Sequence, residues 1–346
     1  MPESVPDLIV SEDQLDEVMT RPSAALVAFI RTLSGPLVVL GAGGKMGPTL
    51  AVLARRAAEI ANHPLDVIAV SRFSDSLARD WLESRGVQTR SCDLMNRHAV
   101  AALPDASNVI YLVGLKFGTS GSPSTTWAVN TLVPALISER YPAARIAALS
   151  SGNVYPLVEI GGPRSKESDP LTPLGEYANS CVARERVFEH FSRVNSTPMT
   201  LVRLSYAVDL RYGVLYDIAC AIYEGRPVDM TMGCLNCIWQ GDANDSIIRA
   251  LDLASSPALP VNLTGIEPLP IRGLAERLAK LLDKPLLVTG NEAGSAFLSD
   301  TAQMVARLGA PPTDLDSVLR WTAHWVSTGG RSLNKPTHFE VRDGKY

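Results

Sequence analysis

The chain has 346 residues, of which 46% are hydrophobic, and its formal net charge at pH 7 is -4. This length and composition suffice to bury one large core or two fused ones, as in a globular enzyme. Because the net charge is not positive, nucleic acid and anionic membranes are not expected as partners, and a small molecule is the expected ligand.

The N-terminal part of the chain is polar and acidic, and it lacks the charged and apolar regions of a secretory signal. Apolar runs elsewhere are interrupted before they reach the roughly 20 residues that a membrane helix requires. We therefore expect a cytoplasmic protein without membrane spans. Residues 1–35 contain two segments of helical spacing that start at Ser11 and Pro22, and we interpret them as a helical extension that packs on the sheet edge or on a dimer surface.

From residue 36 onward, short apolar runs alternate with stretches of helical spacing, which is typical of a parallel sheet covered on both faces. The predicted strands lie at 36–40, 66–70, 87–92, 108–113, 145–150 and 199–207. The predicted helices lie at 47–61, 75–85, 97–103, 126–140 and 175–193. Right-handed crossovers would wind these elements into a doubly wound α/β domain of the Rossmann type over residues 36–206.

After residue 207 the alternation becomes irregular, so residues 207–330 predict a smaller, mixed lobe that binds the substrate. Its predicted elements are helices at 213–225, 244–256 and 271–282 and a strand near 260–265. Residues 331–346 contain Pro, Gly, His and charged residues without periodicity. We expect this C-terminal tail to run over the surface or onto a partner subunit.

Three glycines, Gly41, Gly44 and Gly47, follow the first predicted strand and open the next helix. Their GxxGxxG spacing is typical of a loop whose backbone N–H groups hold a pyrophosphate at a helix N-terminus. Lys45 and Met46 belong to the same loop and are assigned to the cofactor site with it. The loop predicts a bound nicotinamide dinucleotide, with an ordinary glycine turn as the alternative.

The end of the second predicted strand bears on the choice between NAD and NADP. An NAD site usually places Asp or Glu there to bind the ribose 2′-hydroxyl, whereas this chain has Ser71 and Arg72. An arginine can pair with a 2′-phosphate, so the sequence favours NADP, with NAD as the alternative. A solvated surface role for Arg72 stays open. Asp93, after the third strand, either caps the adenine amino group or is a turn residue.

Further landmarks occur in the order found in a known family, at residues 92–94, 113–116, 130, 150–156 and 176–180. With the glycine loop, they make residues 37–330 resemble the extended short-chain dehydrogenase/reductase family, also called the NAD-dependent epimerase/dehydratase family. The resemblance implies a homodimer. It also adds to the cofactor site the residues Leu94, Val113, Gly114, Lys116, Asn130 and Tyr177.

The same resemblance implies that Ser151 and Tyr177 are catalytic, because they match the family's catalytic Ser or Thr and its Tyr. The family places a lysine four residues after the tyrosine, and this chain has Cys181 there. Positions i and i+4 share a helix face, so the lysine would lie under the tyrosine and lower the tyrosine pKa. A thiol supplies no positive charge, and an ionised thiol would raise that pKa.

Three interpretations of Cys181 stay open. In the first, another cation, such as Lys116, Arg184, Arg186 or the oxidised nicotinamide ring, partly replaces the lysine. In the second, the enzyme acts chiefly as a reductase, because a neutral tyrosine can already donate a proton to a developing alkoxide. In the third, the protein keeps its cofactor pocket but has lost hydride chemistry, and it serves as a nucleotide sensor or scaffold. We favour the active forms, because the catalytic serine and tyrosine are retained.

The polar residues suited to a polyhydroxylated substrate are Asn153, Tyr155, Arg211, Asn236 and Gln240. Nucleotide-sugar members of the family carry an arginine at the start of the segment matched here by residues 235–242. Its absence weakens the case for a nucleotide diphosphate. We therefore expect an oxidoreductase or epimerase/dehydratase that acts by hydride transfer on a sugar or sugar-acid derivative.

The five cysteines and five histidines show no spacing typical of a metal site, and no metal is expected. Cys234 and Cys237 form an isolated CxxC pair without a second pair or a nearby histidine. An odd set of cysteines scattered through a long chain is unlike a secreted disulfide-rich domain, so we interpret all five as reduced.

Overall fold

The computed structural model of the chain describes residues 6–74, 76–116 and 121–345. Within these residues, the largest sheet has seven strands: β1 (Leu37–Leu40), β2 (Val67–Ser71), β3 (Gln88–Ser91), β4 (Asn108–Tyr111), β5 (Arg145–Ser151), β6 (Met199–Leu204) and β7 (Leu259–Leu263). Their order across the sheet is β7-β6-β5-β4-β1-β2-β3. Each pair of neighbouring strands is parallel. This arrangement confirms the predicted doubly wound α/β class.

Helices pack on both faces of this sheet, because its central strands are buried on both sides. They are α3 (Gly47–Ile60), α4 (Ser76–Glu83), α5 (Arg97–Ala101), α6 (Pro123–Arg140) and α7 (Gly175–Asn195). In β1, Leu37 and Val39 belong to the core that α3 covers, while Val38 and Leu40 belong to a second core with α6 and α7. The alternation of side chains along a strand divides them in this way.

The last strand of the sheet differs from the prediction. The sequence assigns a strand near residues 260–265 to the smaller lobe, whereas β7 pairs in parallel with β6 at the edge of the large sheet. Helix α9 (Gln240–Arg249), which precedes β7, packs on α3 and places Ile247 and Ile248 in the same core as β1. Residues after 207 therefore contribute to both the sheet and the lobe.

The smaller lobe is built around α8 (Val214–Tyr223), α10 (Ile271–Leu282) and α12 (Leu315–Ser327), whose apolar faces share one core. Short helices, α11 (Ala302–Leu308) and two 3-10 turns (Gly152–Val154 and Ala250–Leu253), connect other segments. The remaining strands have two residues each and pair as 207–208 with 238–239, 228–229 with 288–289, 234–235 with 269–270 and 158–159 with 295–296.

The N-terminal extension folds as two helices, α1 (Glu12–Met19) and α2 (Ala24–Ile30). The predicted cap of the first helix is present, because the Ser11 side chain accepts a hydrogen bond from the backbone of α1. The second helix is capped by Ser23, one residue after the predicted start at Pro22. Both helices pack on α3 and α9, so the extension lies on the helix layer of the sheet.

The C-terminal tail folds back onto its own chain. The backbone N–H of Thr337 donates to Asp217 at 2.8 Å, the Thr337 hydroxyl donates to the same carboxylate, and Phe339 is buried in the core of the lobe. Farther along, Arg342 donates to the Ser295 hydroxyl at 2.7 Å. In the part of the chain described here, no helix has both the length and the apolar character needed to cross a membrane.

Candidate active site

A cavity of about 420 Å³ opens at the carboxyl ends of β1, β2 and β4. Its volume lies within the range of roughly 300–1,000 Å³ that is common for small-molecule pockets. Among the residues that line it are the predicted cofactor residues Gly41, Gly44, Ser71, Arg72, Asp93, Leu94, Val113 and Gly114. The fold brings these scattered positions together, and we call this space the dinucleotide cavity.

The backbone of the glycine loop requires glycine at Gly41 and Gly47. Gly41 has a φ of 82°, which L side chains rarely adopt, and a Cβ there would lie 3.1 Å from the backbone of Val113. At Gly47, a Cβ would lie 2.5 Å from the Cα of Ala42, so only glycine lets α3 start this close to β1. No side chain caps the N-terminus of α3, and the positive end of its dipole faces the loop.

The far end of the dinucleotide cavity is formed by the segments after β2 and β3. Arg72 is exposed there, and Asp93 accepts a hydrogen bond from the backbone of Met95 at 3.0 Å, as a turn residue does. Phe73 and Met95 also line the cavity and offer apolar surface to a ring. Neither residue is predicted from the sequence, although each directly follows a predicted cofactor residue.

A second cavity, of about 170 Å³, lies beyond the ends of β5 and β6. The predicted site residues that line it are Lys45, Met46, Lys116, Ser151, Asn153 and Tyr177. Lining residues that the sequence argument did not select include Tyr206, Tyr212, Thr337 and His338. We call this space the catalytic cavity, because the serine and tyrosine expected to be catalytic meet in it.

Tyr177 stands in the first turn of α7, and Ser151 is the last residue of β5. The tyrosine shares hydrogen bonds with the side chains of Ser151 and Cys181. Burial raises the pKa of Tyr177 well above its usual range, the Cys181 thiol raises it further, and the Arg184 guanidinium lowers it. Cys181 itself is fully buried. Tyr177 therefore keeps its proton at neutral pH.

Arg184 provides a positive charge close to Tyr177. It lies on α7, seven residues after Tyr177 and therefore on the same helix face, and its side chain is 4% exposed. It donates to the Leu149 carbonyl at 3.0 Å and to Asn130 Oδ1 at 2.6 Å. Its charge lowers the pKa of both Tyr177 and Cys181. Arg184 is thus a buried cation close to Tyr177.

The other two candidate side chains differ in position. The Lys116 ammonium lies 5.9 Å from the centroid of the Tyr177 ring, at the wall of the catalytic cavity. Arg186 is exposed and pairs with Glu189 at 2.7 Å, away from the cavity. Of the three side chains considered, Arg184 and Lys116 are near the tyrosine and Arg186 is not.

Asn130 holds the elements of the site together from outside both cavities. Its Oδ1 accepts from the backbone N–H of Leu115 at 3.2 Å, and its Nδ2 donates to the Ser180 hydroxyl at 2.8 Å. These bonds join the segment after β4 to α7 through α6. The asparagine, assigned to the cofactor site from sequence, is fully buried behind it.

Of the predicted substrate residues, only Asn153 lines the catalytic cavity within the described chain. Tyr155 is 1% exposed, and its hydroxyl donates to Asn262 at 2.8 Å. Asn236 is fully buried and bonds the backbone of Gly265 and Ser299. These two side chains support the fold, because their polar groups are already occupied there.

The other two predicted substrate residues also lie outside the catalytic cavity. Gln240 is fully buried and donates to the Thr49 hydroxyl at 3.3 Å. Arg211 pairs with Asp209 at 3.0 Å, with Glu12 at 3.1 Å and with Asp16 at 3.3 Å. These carboxylates compensate its charge, and two of them come from α1, so Arg211 anchors the N-terminal extension.

All five cysteines are free thiols. Throughout residues 6–74, 76–116 and 121–345, no group of three or more His, Cys, Asp or Glu side chains is arranged to hold a metal ion.

Comparison with known proteins supports the sequence resemblance. Residues 37–230, which are more than half of the chain, match the model of the NAD dependent epimerase/dehydratase family. A sequence comparison with proteins of curated function found no match.

Solved structures with similar folds include three sugar-nucleotide enzymes. The UDP-glucuronic acid 4-epimerase from Bacillus cereus in complex with NAD has a TM-score of 0.72 and 16% identity, over 85% of this chain and 99% of that one. The dTDP-glucose 4,6-dehydratase from Bacillus anthracis in complex with NAD has a TM-score of 0.71 and 14% identity, over 85% and 97%. A UDP-galactose 4-epimerase has a TM-score of 0.67 and 17% identity, over 85% and 99%. At such low identities the likeness establishes the fold.

Proposed function

Because the chain belongs to the NAD-dependent epimerase/dehydratase family, we propose that it is an enzyme that transfers hydride between a nicotinamide dinucleotide and a sugar or sugar-like substrate. The observation that carries this proposal is the hydrogen bond between Ser151 and Tyr177 at the wall of the catalytic cavity. A serine and a tyrosine in this arrangement can hold one substrate oxygen between them while its bond order changes.

The dinucleotide cavity fits the cofactor that the family uses. At Gly41 and Gly47 a Cβ would crowd the backbone of the protein itself, and α3 offers to a pyrophosphate an N-terminus that no side chain caps. Phe73 would pack against the adenine, and Arg72 would pair with a 2′-phosphate, which favours NADP. When bound, the dinucleotide supplies or accepts the hydride.

The state of Tyr177 favours reduction over oxidation. Burial and Cys181 keep the phenol protonated, so it can donate its proton to the oxygen of a carbonyl that is being reduced. Ser151 would hold the same oxygen. Oxidation requires the tyrosine to accept a proton as a phenolate, and that state has only the partial support of Arg184 and Lys116. We therefore propose that the enzyme acts chiefly as a reductase.

A hydride-transfer assay tests this function. Oxidation of NADPH and NADH is followed by absorbance with a panel of keto-sugars, aldoses and their acids, beside calorimetric titration of both dinucleotides. Turnover of any member supports the enzyme. The alternative is a dinucleotide sensor or scaffold, which the loss of the family's lysine at Cys181 favours. Tight dinucleotide binding with no turnover across the panel would favour that alternative.

Arg72 is expected to set the preference for NADP. Replacing Arg72 by Asp removes the partner of a 2′-phosphate and adds a carboxylate suited to a ribose hydroxyl. We expect the ratio of NADPH affinity to NADH affinity to fall about tenfold or more, since a charge-assisted hydrogen bond contributes about 1.5–3 kcal/mol. Calorimetric titration measures both affinities. Arg193→Asp on α7 makes the same charge change at an exposed position and serves as the control. An unchanged ratio would remove Arg72 from the cofactor site.

Restoring a lysine at position 181 is expected to fail in the single variant. The Cys181 site is fully enclosed beside Arg184, so the new ammonium would be buried against a like charge. For Cys181→Lys we expect a loss of about 2 kcal/mol in the free energy of unfolding and no gain in NADP-dependent oxidation. In the double variant with Arg184→Met, the free energy of unfolding should partly recover and NADP-dependent oxidation should increase. Faster oxidation by the single variant would mean that Arg184 does not act in place of the missing lysine.

A further inference from the structure

The catalytic cavity has a basic lining. Its described lining residues include two lysines, Lys45 and Lys116, and one histidine, His338, but no Asp or Glu. A small cavity with basic groups and no acidic ones attracts anions, because each ammonium is only weakly screened there. The basic lining of the catalytic cavity therefore favours a negatively charged substrate.

Lys45 belongs to the glycine loop, yet its side chain contacts Ala207 and Tyr212, at the start of the smaller lobe. Its ammonium lies 3.5 Å from the centroid of the Tyr212 ring and 3.4 Å from the carbonyl oxygen of Ala207. Lys45 and Lys116 line the catalytic cavity and are not among the lining residues of the dinucleotide cavity. The two lysines therefore line the space in which the reacting part of a substrate would lie.

The charge of Lys45 is poorly compensated by the carboxylates near it. Asp209 is engaged by Arg211 at 3.0 Å, and Asp217 accepts two hydrogen bonds from Thr337 of the tail. Burial accordingly lowers the pKa of Lys45 to about 7 and that of Lys116 to about 8. An anion bound in this cavity would stabilise both ammonium groups, which is a favourable contribution to its affinity.

The size of the cavity limits the kind of anion. At about 170 Å³ it is smaller than the roughly 300–1,000 Å³ of common ligand pockets. Thr337, His338 and Phe339 of the tail form part of its wall. The space suits the reacting portion of a small acid, and it is too small for a nucleoside diphosphate.

We propose that Lys45 and Lys116 bind the carboxylate of a small acidic substrate whose reacting oxygen is held by Ser151 and Tyr177. The substrate class is thus a small sugar acid or hydroxy acid rather than a neutral sugar or a nucleotide sugar. This inference rests on the proposed function, since it uses the same cavity. It also moves Lys45 and Lys116 from the cofactor site, to which both are assigned from the sequence, to the substrate site. The pyrophosphate of the cofactor is the competing source of an anion for Lys45.

Calorimetric titration of the NADPH-loaded protein tests the proposal without requiring turnover. The probes are D-glucuronate and glycolate, with D-glucose as the neutral counterpart of glucuronate. We expect the carboxylates to bind and glucose to bind at least tenfold more weakly. Lys45→Met and Lys116→Met should each weaken the carboxylates about tenfold or more, while Lys45→Arg retains most of the affinity because it keeps the charge. Lys280→Met, on an exposed face of α10, is the matched control and should leave binding unchanged.

Other results of these titrations would contradict the anion site or the proposed function. Carboxylates that bind no better than glucose, or equally well to Lys45→Met and Lys116→Met, would overturn the proposal. A loss of NADPH affinity in Lys45→Met with unchanged carboxylate affinity would also overturn it and assign Lys45 to the cofactor pyrophosphate. Lysine-dependent carboxylate binding without turnover of any substrate would leave the anion site standing and contradict the proposed hydride transfer.

Discussion

Replacing Tyr177 by Phe is expected to lower the rate of carbonyl reduction about 10²- to 10⁴-fold, which is the usual contribution of a positioned acid or base. The substitution removes one hydroxyl, and in the structure this hydroxyl shares hydrogen bonds with Ser151 and Cys181 at the catalytic cavity. The ring keeps its packing against Val154 and Tyr155, so the fold should persist. Dinucleotide affinity should stay within about threefold, since the glycine loop is untouched.

Steady-state kinetics with NADPH and calorimetric titration of NADPH measure the two quantities. Tyr223→Phe is the matched control, because Tyr223 is exposed on α8 and bonds only a backbone carbonyl of α12 among the contacts described for its hydroxyl. It should retain full activity. If Tyr177→Phe kept more than a tenth of the activity, another group would have to be the proton donor. An equal loss of turnover and of cofactor binding would instead indicate that the pocket had been disturbed.

Local signals explain why the sheet and the glycine loop could be predicted from sequence. The strand–helix alternation over residues 36–206 and the spacing of Gly41, Gly44 and Gly47 are patterns within short segments, and the fold follows them closely. The strand at β7 shows the limit of this information. Its apolar run could be recognised, but its place beside β6 depends on contacts with residues more than fifty positions earlier in the chain.

The substrate residues were harder to predict, because the sequence does not show whether a polar side chain lines a cavity or bonds a buried partner. Tyr155, Asn236 and Gln240 have buried partners, whereas Asn153, only two residues before Tyr155, lines the catalytic cavity. The C-terminal tail shows the same difficulty for an apolar residue. Its aperiodic sequence predicts a surface segment, yet Phe339 packs in the lobe core and contributes to the cavity wall. Both outcomes depend on tertiary packing.

Removing Glu185 is expected to cause the largest loss of stability. Glu185 is fully buried on α7 and pairs with Arg203 of β6 through contacts of 2.7 and 3.1 Å, and it accepts a hydrogen bond from Ser150. Glu185→Ala would leave the buried Arg203 charge without its carboxylate. Breaking such a pair from one side costs about 3–5 kcal/mol, a large fraction of the free energy of unfolding of most domains. Urea denaturation measures the change.

The same helix offers a matched control. Glu189 pairs with the exposed Arg186 at 2.7 Å, and Glu189→Ala should cost less than about 1 kcal/mol because water screens a surface pair. A similar cost for the two variants would mean that the buried pair does not bear on stability. If Glu185→Ala does not fold, the double variant Glu185→Leu, Arg203→Leu keeps the test open. It removes both charges together, so it should recover most of the lost stability.

The double variant also separates the stability of the fold from the geometry of the site. Arg203 donates to the Tyr155 hydroxyl at 2.6 Å, and Glu185 accepts a hydrogen bond from Ser150, the neighbour of Ser151 at the end of β5. If this buried pair only stabilises the fold, restoring stability should restore reduction to the same degree. We expect instead that the double variant, although stable, keeps a tenth or less of the activity. The pair would then fix the position of Ser151 relative to Tyr177, because α7 and β5 meet at these side chains.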